Sequence, residues 1–445
     1  MVKLILAIDK NNGIGYANKL PWNIKEELAH FKKLTLNKTL IVGRKTGESL
    51  PHLENRKILV LSKNQNLKKA QFSNNVKIIN ELPEDDPDLI VAGGKEIYTE
   101  ALKKPGYIDI IYLSVVKGNY VCTIVFDDFY RLVQDFYIEY SEDQENFSYY
   151  KLVRKYHGEK QYLNLLEEIL KNNNVKIGRN GKTLSKFNAN FTFDLRDGFP
   201  LLTTKKMFFR GIVEEFLFFL KGETNTKLLS DKKVKIWEGN TTKEFLKNRN
   251  LDYAEGVMGP MYGYQWRNFN GAYLLDSDKR PVKTQNGIDQ LANVIDLINN
   301  DPNSRRILMT SYNPEQAEEG VLYPCHSITI QFNVEDDYLD MFCYNRSQDL
   351  FLGVPYNIAS SSLLLTLIAN ITNKTPRFLY MTMGDVHIYQ CHKDPVRTQL
   401  YGDRIPFKFP KLTINNSQDY DNLSYEDFIL SDYMCHPSIK ANMIA

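Results

Sequence analysis

The sequence predicts two folded parts, an α/β part followed by an α+β part. At 445 residues the chain is too long for one ordinary domain. In the first third, strand-like runs alternate with short helical segments, whereas long helical segments enclose the strand-like runs of the remainder. Both patterns break at 155–159. We therefore expect domains at 1–154 and 160–445, joined by a short linker at 155–159.

The first third is predicted to form a mostly parallel sheet with flanking helices. Between its strands, 24–34 and 96–102 have the apolar spacing of helices. The runs around Val60 and Ile90 are continuously apolar, as in a sheet that is covered on both faces. The predicted strands are 4–8, 39–42, 58–61, 76–79, 89–92, 108–116 and 147–153.

The remainder is predicted to form a sheet backed by long helices. From residue 161 the apolar residues fall on one helical face, and two longer apolar helices are expected at 207–220 and 351–371. Strand-like runs lie between these two helices. They are 307–312, 327–334 and 338–344.

Composition argues against several classes of protein. A net charge of +2 gives no general reason to expect binding to nucleic acid or to a membrane surface. No run approaches the ~18 apolar residues of a membrane helix, and the N-terminus lacks a signal-peptide pattern. The five cysteines are scattered and odd in number, so neither a disulfide framework nor a metal site is expected. We expect a soluble protein in the reducing cytoplasm.

Glu27 is the first candidate functional residue. Glu27, Leu28 and Phe31 share one face of a predicted helix, which would place the carboxylate among apolar neighbours. Burial there would raise its pKa and let it hold a proton near neutral pH. The alternative is a solvated carboxylate in the acidic pair Glu26-Glu27, which spacing alone favours.

Two glycine-containing turns are candidates for phosphate binding. The run 43–46 follows a predicted strand and opens a helix, where backbone amides and basic side chains attract anions. Gly93-Gly94 also stands between a strand and a helix. Each signal is weak alone, because a lone Gly-Gly pair is more often a turn.

Residues 1 to about 154 resemble dihydrofolate reductases. The motifs that carry the resemblance are, in order, "GIGYANKLPWNIKEELAHFKKLT", "VGRKT", "ESLPHLENRKILVLS" and "VAGGKEIY". The resemblance implies that Glu27 grips the pteridine ring and assists protonation of its nitrogen 5, with Trp22 holding the associated water. It further implies a folate slot lined by Ala7, Leu28 and Phe31, with Arg56 pairing with the carboxylate of the glutamate tail.

The same resemblance implies NADPH as cofactor. Its phosphates would be bound by Arg44, Thr46, Gly93 and Gly94, with Arg44, Lys45 and Lys63 near the 2′-phosphate. NADPH would supply the hydride, and the protein would align the two rings. At Gly47 the chain departs from the family, whose members commonly carry tryptophan there.

Cys325 is the candidate nucleophile of the second part. It stands in Leu322-Tyr-Pro-Cys-His-Ser327, between the pair Arg305-Arg306 and the run 345–349. Nearby cations lower the pKa of a thiol and favour the reactive thiolate. Four arginines are candidates for this role and for a phosphate clamp, namely Arg179, Arg305, Arg306 and Arg346. The alternatives are a buried structural cysteine and arginines in ordinary surface pairs.

The chain from Lys160 onward closely resembles thymidylate synthases. The matching runs include "DGFPLLTTKK", "GPMYGYQWR", "DPNSRRI", "LYPCHSITIQF", "NRSQDLFLGVPYNIASS" and "MGDVHIYQCH". The resemblance implies that Cys325 adds to carbon 6 of dUMP, which activates carbon 5 toward the methylene group of methylenetetrahydrofolate. His326 would be a structural neighbour rather than a catalytic base. Asn345 stands where the family usually has glutamine.

The same resemblance implies the remaining roles in the synthase site. The phosphate of dUMP would be bound by Arg179, Arg346 and Ser347 and, from a partner subunit, by Arg305 and Arg306, so that the site requires a homodimer. Glu215 would organise water, and Tyr262 would assist proton removal from carbon 5. Substrate contacts would come from Asn357 to the uracil edge, His387 and Tyr389 to the ribose, Asp349 to the pterin, and Trp237, Asn240 and the C-terminal residues over the folate.

Together the two resemblances imply a bifunctional enzyme in which the reductase restores the folate that the synthase oxidises. Two alternatives remain at the level of the sequence. In one, the synthase is active and the reductase half is a weak or inactive folate-binding module, as Gly47 and the segment 122–126 would allow. In the other, the whole chain is a catalytically silent binding or scaffold protein, which the presence of Cys325 and Glu27 disfavours.

Overall fold

The chain folds into two compact units. A computed structural model describes every residue except 1, 65–66, 68–70, 74–75, 84–87, 105, 155–156, 173, 179–180, 285 and 445. The first unit contains Met1–His157 and Asp403–Lys408, and the second contains Gly158–Gly402 and Phe409–Ala445.

The first unit is built on an eight-stranded sheet. Its strands, and the two strands β2 and β8 of a separate small sheet, are β1 Val2–Asp9, β2 Gly13–Gly15, β3 Thr39–Gly43, β4 Lys57–Leu61, β5 Val76–Ile79, β6 Leu89–Gly93, β7 Ile108–Val116, β8 Ile124–Val125, β9 Phe136–Asp143 and β10 Phe147–Arg154. The sheet has the order β5-β4-β3-β6-β1-β7-β10-β9, and its strands are parallel except that β10 is antiparallel to β7 and β9. Outside this sheet, β2 and β8 form an antiparallel pair. The helices are α1 Lys25–Thr35, α2 Arg44–Ser49, α3 Lys95–Lys103 and α4 Phe129–Leu132. The predicted α/β class is confirmed.

Both faces of this sheet are covered, which explains its continuously apolar strands. Side chains alternate between the faces of a strand. Ile41 therefore joins one hydrophobic cluster, while its neighbours Leu40 and Val42 join another. All three are fully buried, so every position of the run excludes water.

Residues 403–408 belong to the first unit although they come late in the chain. They pair with the edge strand β9: the amide of Ile138 donates to the carbonyl oxygen of Pro406 at 2.7 Å, and the amide of Lys408 donates to the carbonyl of Ile138 at 2.9 Å. Ile405 is buried in the main hydrophobic cluster of this unit. The segment thus satisfies backbone groups that an exposed sheet edge leaves unpaired.

The second unit is α+β, as predicted. Its strands are β11 Val175–Gly178, β12 Gly181–Asp194, β13 Leu274–Leu275, β14 Pro281–Val282, β15 Leu308–Thr310, β16 Thr329–Glu335, β17 Tyr338–Asp349, β18 Thr375–Tyr389, β19 Lys411–Ile414 and β20 Phe428–Ser431. The main sheet has the order β11-β12-β18-β17-β16-β15, and among its pairings only β17 with β18 is parallel. The helices are α5 Glu159–Lys171, α6 Phe209–Leu220, α7 Lys227–Ser230, α8 Lys243–Asn248, α9 Gly263–Asn268, α10 Gln290–Asn300, α11 Gly353–Ile371 and α12 Lys393–Tyr401.

Helix α11 is the central helix of the second unit. Within the described parts of the chain, it alone has the length and hydropathy of a membrane span, contrary to the expectation that no segment would approach these values. Most of it is buried against β17 and β18 and other helices of its unit. Its apolar surface is therefore used in core packing.

Glu159 marks where the second unit begins. The sequence places it at the end of a linker, of which 155–156 lie outside the described residues. In the structure Glu159 is the first residue of α5 and is fully buried. Its carboxylate accepts hydrogen bonds from the amides and hydroxyls of Thr203 and Thr204, which offset the cost of burying a charge.

Candidate active sites

The first unit has a cleft of about 1520 Å³ at the carboxyl ends of its parallel strands. Ligands of parallel α/β sheets bind at this edge, because the loops that follow the strands converge there. All but one of the residues assigned to this unit from the sequence line the cleft. They are Ala7, Glu27, Leu28, Phe31, Arg44, Lys45, Thr46, Arg56, Lys63, Gly93 and Gly94.

Trp22 is the exception, since it does not line this cleft. It is buried, and its ring packs edge-on against Tyr120 with centroids 5.3 Å apart. Its indole nitrogen is buried without a hydrogen-bond partner among the described residues. A buried N–H group of this kind can donate to an ordered water. The water-holding role of Trp22 stays a prediction.

Glu27 is the buried carboxyl of the cleft. It is only 5% exposed, whereas its neighbour Glu26 is exposed, so Glu27 is not the solvated residue that spacing alone favoured. Burial raises the pKa of Glu27, and a hydrogen bond with the hydroxyl of Ser114 partly opposes that rise. Ser114 lies on β7 directly beside Ala7 of β1, a register that the sequence did not reveal.

Arg56 is held in place by the backbone around it. Its guanidinium donates to the carbonyls of Glu54 at 2.8 Å and Lys32 at 3.2 Å, and to the hydroxyl of Thr35 at 3.3 Å. These bonds fix an arginine at the rim of the cleft before any ligand arrives. A pre-positioned guanidinium suits a carboxylate, which it can bind with two parallel hydrogen bonds.

Two glycine turns meet at the other end of the cleft. Gly43 precedes α2, and the Gly93–Gly94 peptide bond, which is cis, precedes α3. A Cβ atom on Gly93 or Gly94 would lie 3.3 or 3.2 Å from the side chain of Thr46. Glycine therefore leaves the space in which a ligand can approach both backbones, as phosphates require.

The basic side chains around this cradle fit the phosphates of NADPH. Arg44, Lys45 and Lys63 line the same cleft. Arg44 also forms an exposed ion pair with Glu48 at 3.0 Å, which is weak enough to exchange for a phosphate. The cradle and its three cations thus match the group that the resemblance implies.

Phe72 explains how the chain tolerates Gly47. Gly47 is buried, and a Cβ atom there would lie 3.2 Å from both the ring of Phe72 and a methyl group of Val60. The space beside α2 is therefore already filled by Phe72, a residue distant from it in sequence. A tryptophan at position 47 would overlap that ring.

In the second unit Cys325 is paired with Tyr262. The Cys325 sulfur lies 3.4 Å from the Tyr262 hydroxyl oxygen, which also accepts a hydrogen bond from the Cys325 amide at 3.2 Å. Tyr262 immediately precedes α9 with a positive φ of 43°, an unfavourable conformation for a bulky residue. The surrounding structure thus holds a phenol directly against the thiol.

The pKa of Cys325 is raised rather than lowered. Burial is the largest cause, and it outweighs the Tyr262 hydrogen bond and the charge of Arg346, which both favour thiolate. Arg346 therefore acts on this pKa in the expected direction, but its effect is smaller than that of burial. Arg305 and Arg306 are exposed, and Arg179 lies outside the described residues.

Glu215 and Trp237 extend the group behind the thiol. The indole of Trp237 donates to the Glu215 carboxylate at 2.8 Å, and its ring contacts that of Tyr262 with centroids 5.9 Å apart. Burial raises the pKa of Glu215 to about 7, and the indole hydrogen bond limits the rise. Glu215 can therefore gain or lose a proton near neutral pH.

Asn240 is buried in the short 3-10 helix Glu238–Asn240, which follows Trp237.

His326 is a packing neighbour of this group. Its ring stacks on Tyr262 with centroids 4.5 Å apart, and burial lowers its pKa to about 4. It is therefore uncharged at neutral pH and contributes no cation to the thiol, in agreement with its assignment as a structural residue.

The loop that bears Cys325 is fastened to β17. The guanidinium of Arg346 donates to the carbonyls of Pro324 at 2.9 Å and Tyr323 at 3.0 Å, and the amide of Ser347 donates to the carbonyl of Cys325 at 3.3 Å. Arg346 is otherwise exposed beside the thiol. Both residues thus contact the loop of the nucleophile, and their role in binding the substrate phosphate stays a prediction.

Asn345 also fastens this loop, although it is one methylene shorter than the usual glutamine. Its side-chain oxygen accepts from the amide of Ser327 at 2.9 Å, and its nitrogen donates to the carbonyl of Thr382 at 3.3 Å. Asn345 is fully buried, and Ser327 has a positive φ of 50°. The hydrogen bond near the nucleophile is therefore direct.

The ends of β17 and β18 carry the next assigned residues. Asp349 pairs with His387 across the two strands and accepts hydrogen bonds from two amides that precede α11. His387 lies 3.2 Å from the carboxylate of Asp385 and contacts the ring of Tyr389. Asn357 projects from α11 to Gln348, a contact that sequence reasoning missed. The C-terminal tail reaches the same region, where Asn442 accepts a hydrogen bond from His392.

Sequence comparisons agree with both units. The thymidylate synthase family matches residues 160–445, and the dihydrofolate reductase family matches residues 1–155. Among curated relatives, the bifunctional dihydrofolate reductase-thymidylate synthase of Paramecium tetraurelia is 38% identical over 99% of this chain and 98% of its own length. The proteins of the same name from Arabidopsis thaliana (number 1) and Leishmania major are 35% and 34% identical, over 99% of this chain and 95% and 94% of their lengths.

These matches, with the two sites, define a folate-dependent enzyme with two catalytic units. The chain belongs to the bifunctional dihydrofolate reductase–thymidylate synthase family. It methylates dUMP with methylenetetrahydrofolate to give dTMP and dihydrofolate, and it reduces dihydrofolate to tetrahydrofolate with NADPH.

Proposed function

We propose that the thymidylate synthase reaction runs on Cys325, with Tyr262 and Glu215 as its proton-handling partners. The 3.4 Å contact between the Cys325 sulfur and the Tyr262 hydroxyl supports this most directly. Attack of the thiolate on carbon 6 of dUMP makes carbon 5 nucleophilic toward the methylene group of the folate. Tyr262 then assists removal of the proton from carbon 5, and Glu215 orders water for the proton transfers. Its pKa of about 7 suits that exchange.

The remaining assigned residues bind the synthase substrates. Arg346 and Ser347 hold the dUMP phosphate with Arg179, and Asn357 reads the uracil edge. His387 and Tyr389 hold the ribose. The folate lies against Asp349, Trp237, Asn240 and the C-terminal tail.

We propose Glu27 as the proton-handling residue of the reductase site. Its raised pKa favours a protonated carboxyl, which supports protonation of the pteridine at nitrogen 5. Ala7, Leu28 and Phe31 form the apolar slot, Arg56 binds the glutamate tail, and Trp22 holds a water. When bound, NADPH supplies the hydride. Its phosphates are held by Arg44, Lys45, Thr46, Lys63, Gly93 and Gly94.

We propose that the synthase unit works as a homodimer through the open face of its main sheet. Leu308, Gln331, Phe342 and Tyr380 are direct neighbours across β15, β16, β17 and β18, and all four are exposed. A lateral row with three large apolar side chains is unusual for a face in water and typical of a protein interface. Phe187 on β12 is 75% exposed and adds to it.

Arg305 and Arg306 would then serve the partner's site. Both are exposed just before β15, and Arg305 lines a hollow with Phe342 and Tyr380 of the apolar row. In a symmetric dimer each patch faces its own copy, so these cations can reach across to the other subunit's phosphate position.

Mixing two inactive variants tests both the dimer and the assignment of these residues. Arg306→Ala lacks the arginine that its partner needs, and Cys325→Ser lacks the nucleophile. After joint refolding, a mixed dimer has one site with an intact Cys325 and an arginine from the other chain. We expect synthase activity to return in the mixture, with the mixed dimer confirmed by sedimentation. Continued inactivity despite mixed dimers would show that Arg306 does not act across the interface.

The cell compartment is a separate proposal. All five cysteines are free, which supports a reducing, cytoplasmic location.

A further inference from the structure

One buried side chain connects the backbone of the nucleophile to the amide that reads the base. Gln348 lies in β17 and is only 1% exposed. Its side-chain nitrogen donates to the carbonyl oxygen of Cys325 at 3.3 Å, and its side-chain oxygen accepts from the Asn357 nitrogen at 2.7 Å. None of the sequence motifs assigns a role to Gln348, although this residue contacts two members of the synthase site.

The direction of this hydrogen-bond chain is fixed by the backbone. A backbone carbonyl only accepts hydrogen bonds, so the end of Gln348 that faces Cys325 must be its NH₂ group. The opposite end is then the carbonyl oxygen of Gln348, which also only accepts. Asn357 must therefore present its nitrogen to Gln348, because a flipped amide would place two oxygens against each other.

Because one end of the Asn357 amide is fixed, the donor and acceptor groups that it presents to a pyrimidine are fixed as well. With its nitrogen held by Gln348, its oxygen is free to accept from N3–H of uracil, and the second amide hydrogen can reach O4. Cytosine has an acceptor at N3 and an amino group at position 4, so it needs the reversed amide.

We propose that Gln348 is a positioning residue that sets the preference of the synthase site for uracil over cytosine. It acts through Asn357, whose amide it locks in the orientation that matches uracil. The same side chain donates a hydrogen bond to the carbonyl of Cys325, so Gln348 positions both the backbone of the nucleophile and the amide that reads the base. The inference rests on the proposed role of Asn357 in reading the base edge.

The test compares binding of dUMP and dCMP to the full-length protein by isothermal titration calorimetry. Gln348→Met preserves side-chain length but removes both hydrogen bonds, so the Asn357 amide can rotate. We expect the ratio of dUMP to dCMP affinity to fall at least about ten-fold, which corresponds to ~1.4 kcal/mol. Gln348→Ala should give the same fall, and it keeps the test decisive if methionine disturbs folding.

Gln399→Met is the matched control. Gln399 is an equally buried glutamine of the same unit, but its hydrogen bonds go to Thr204 and Tyr162 rather than to Cys325 or Asn357. We expect this variant to keep the wild-type ratio. A general disturbance of the core would instead lower both affinities together, in the control as well as in the Gln348 variants.

Asn357→Ala separates failure of this inference from failure of the proposed function. If it loses discrimination while both Gln348 variants keep the wild-type ratio, Asn357 reads the base without help and the role of Gln348 is refuted. If Asn357→Ala itself discriminates as well as wild type, the assignment of Asn357 fails and the inference falls with it. Equal losses of dUMP and dCMP affinity in the Gln348 variants would likewise overturn it.

Discussion

Burial places the ionisation of Glu215 near neutrality, which links the stability of the synthase unit to pH. The pKa of Glu215 is about 7 in the fold, against 4.5 for an ordinary glutamate. The folded state therefore binds the proton more tightly than the unfolded state. Protonation of Glu215 therefore stabilises the fold. This stabilisation is complete below about pH 4.5 and is lost as the pH rises through about 7.

Glu215→Gln should remove this pH dependence. Each unit of pKa shift corresponds to about 1.4 kcal/mol, and because residue 215 as a whole is only half-buried, we expect a net effect of roughly 1–2 kcal/mol. We expect the free energy of unfolding of wild type to fall by that amount relative to the variant between about pH 5 and 8. Urea unfolding, with the synthase transition assigned by its response to dUMP, measures this. Parallel pH profiles for the two proteins would contradict it.

Cys325 and Glu27 should separate the two activities of the chain. Cys325→Ser replaces the thiol with a far weaker nucleophile and should lower synthase kcat by at least about 10³-fold. Glu27→Gln removes a proton-handling group and should lower reductase kcat/KM by about 10²–10⁴-fold. Each activity is assayed alone, by dTMP formation or by NADPH oxidation with dihydrofolate.

Glu26→Gln is the control for the reductase variant, because Glu26 is the exposed neighbour of Glu27 in the same helix. It should leave both activities near wild type. If Cys325→Ser or Glu27→Gln silenced both activities in a folded protein, two independent sites would be the wrong description.

At the scale of elements, Asn345 joins strand β17 to the loop of Cys325. Asn345→Ala would leave the buried amide of Ser327 without its partner, at a cost of about 1–3 kcal/mol. Asn345→Gln restores the residue usual in the family but adds a methylene to a fully buried site, which costs about as much. We expect both variants to lower the melting temperature of the synthase unit and its kcat. A more stable Asn345→Gln protein would show that the longer side chain fits.

Gly47 and Phe72 should behave as a coupled pair beside α2. Gly47→Trp drives a ring into Phe72 and Val60, and Phe72→Ala leaves a cavity that costs about 3–5 kcal/mol. In the double variant the new indole fills that cavity. We expect the double variant to be more stable than the sum of the single effects by about 1–3 kcal/mol in a double-mutant cycle. Additive effects would mean that the two side chains do not share this space.

The elements themselves were largely predictable, because local pattern determines them. Continuous apolar runs indicated the buried parallel strands around Val60 and Ile90, and helical spacing indicated α1 and α11. Contacts that depend on register were not predictable. Ser114 contacts Glu27 because β7 pairs with β1, and Phe72 lies beside Gly47 although the two are distant in sequence. No local sequence pattern predicts either contact.

At the scale of the whole molecule, the segment 403–408 belongs to a different structural unit from its neighbours in the sequence. By its position it reads as part of the synthase, yet it pairs with β9 and buries Ile405 in the core of the first unit. A six-residue segment carries too little periodicity to reveal its partner. The reductase fold therefore depends on residues that lie far outside its own stretch of sequence.

This dependence predicts that a substitution in the second half of the chain weakens the reductase unit. Ile405→Ala removes a buried side chain from its core, at about 2–5 kcal/mol, and should lower its melting temperature by roughly 5–10 °C. Ile429→Ala, at a half-exposed position on β20, is the matched control and should have little effect. Scanning calorimetry resolves the two units, with the reductase transition identified by its rise with NADPH and the synthase transition by its rise with dUMP. If Ile405→Ala lowered only the transition that dUMP raises, the segment would stabilise the synthase instead.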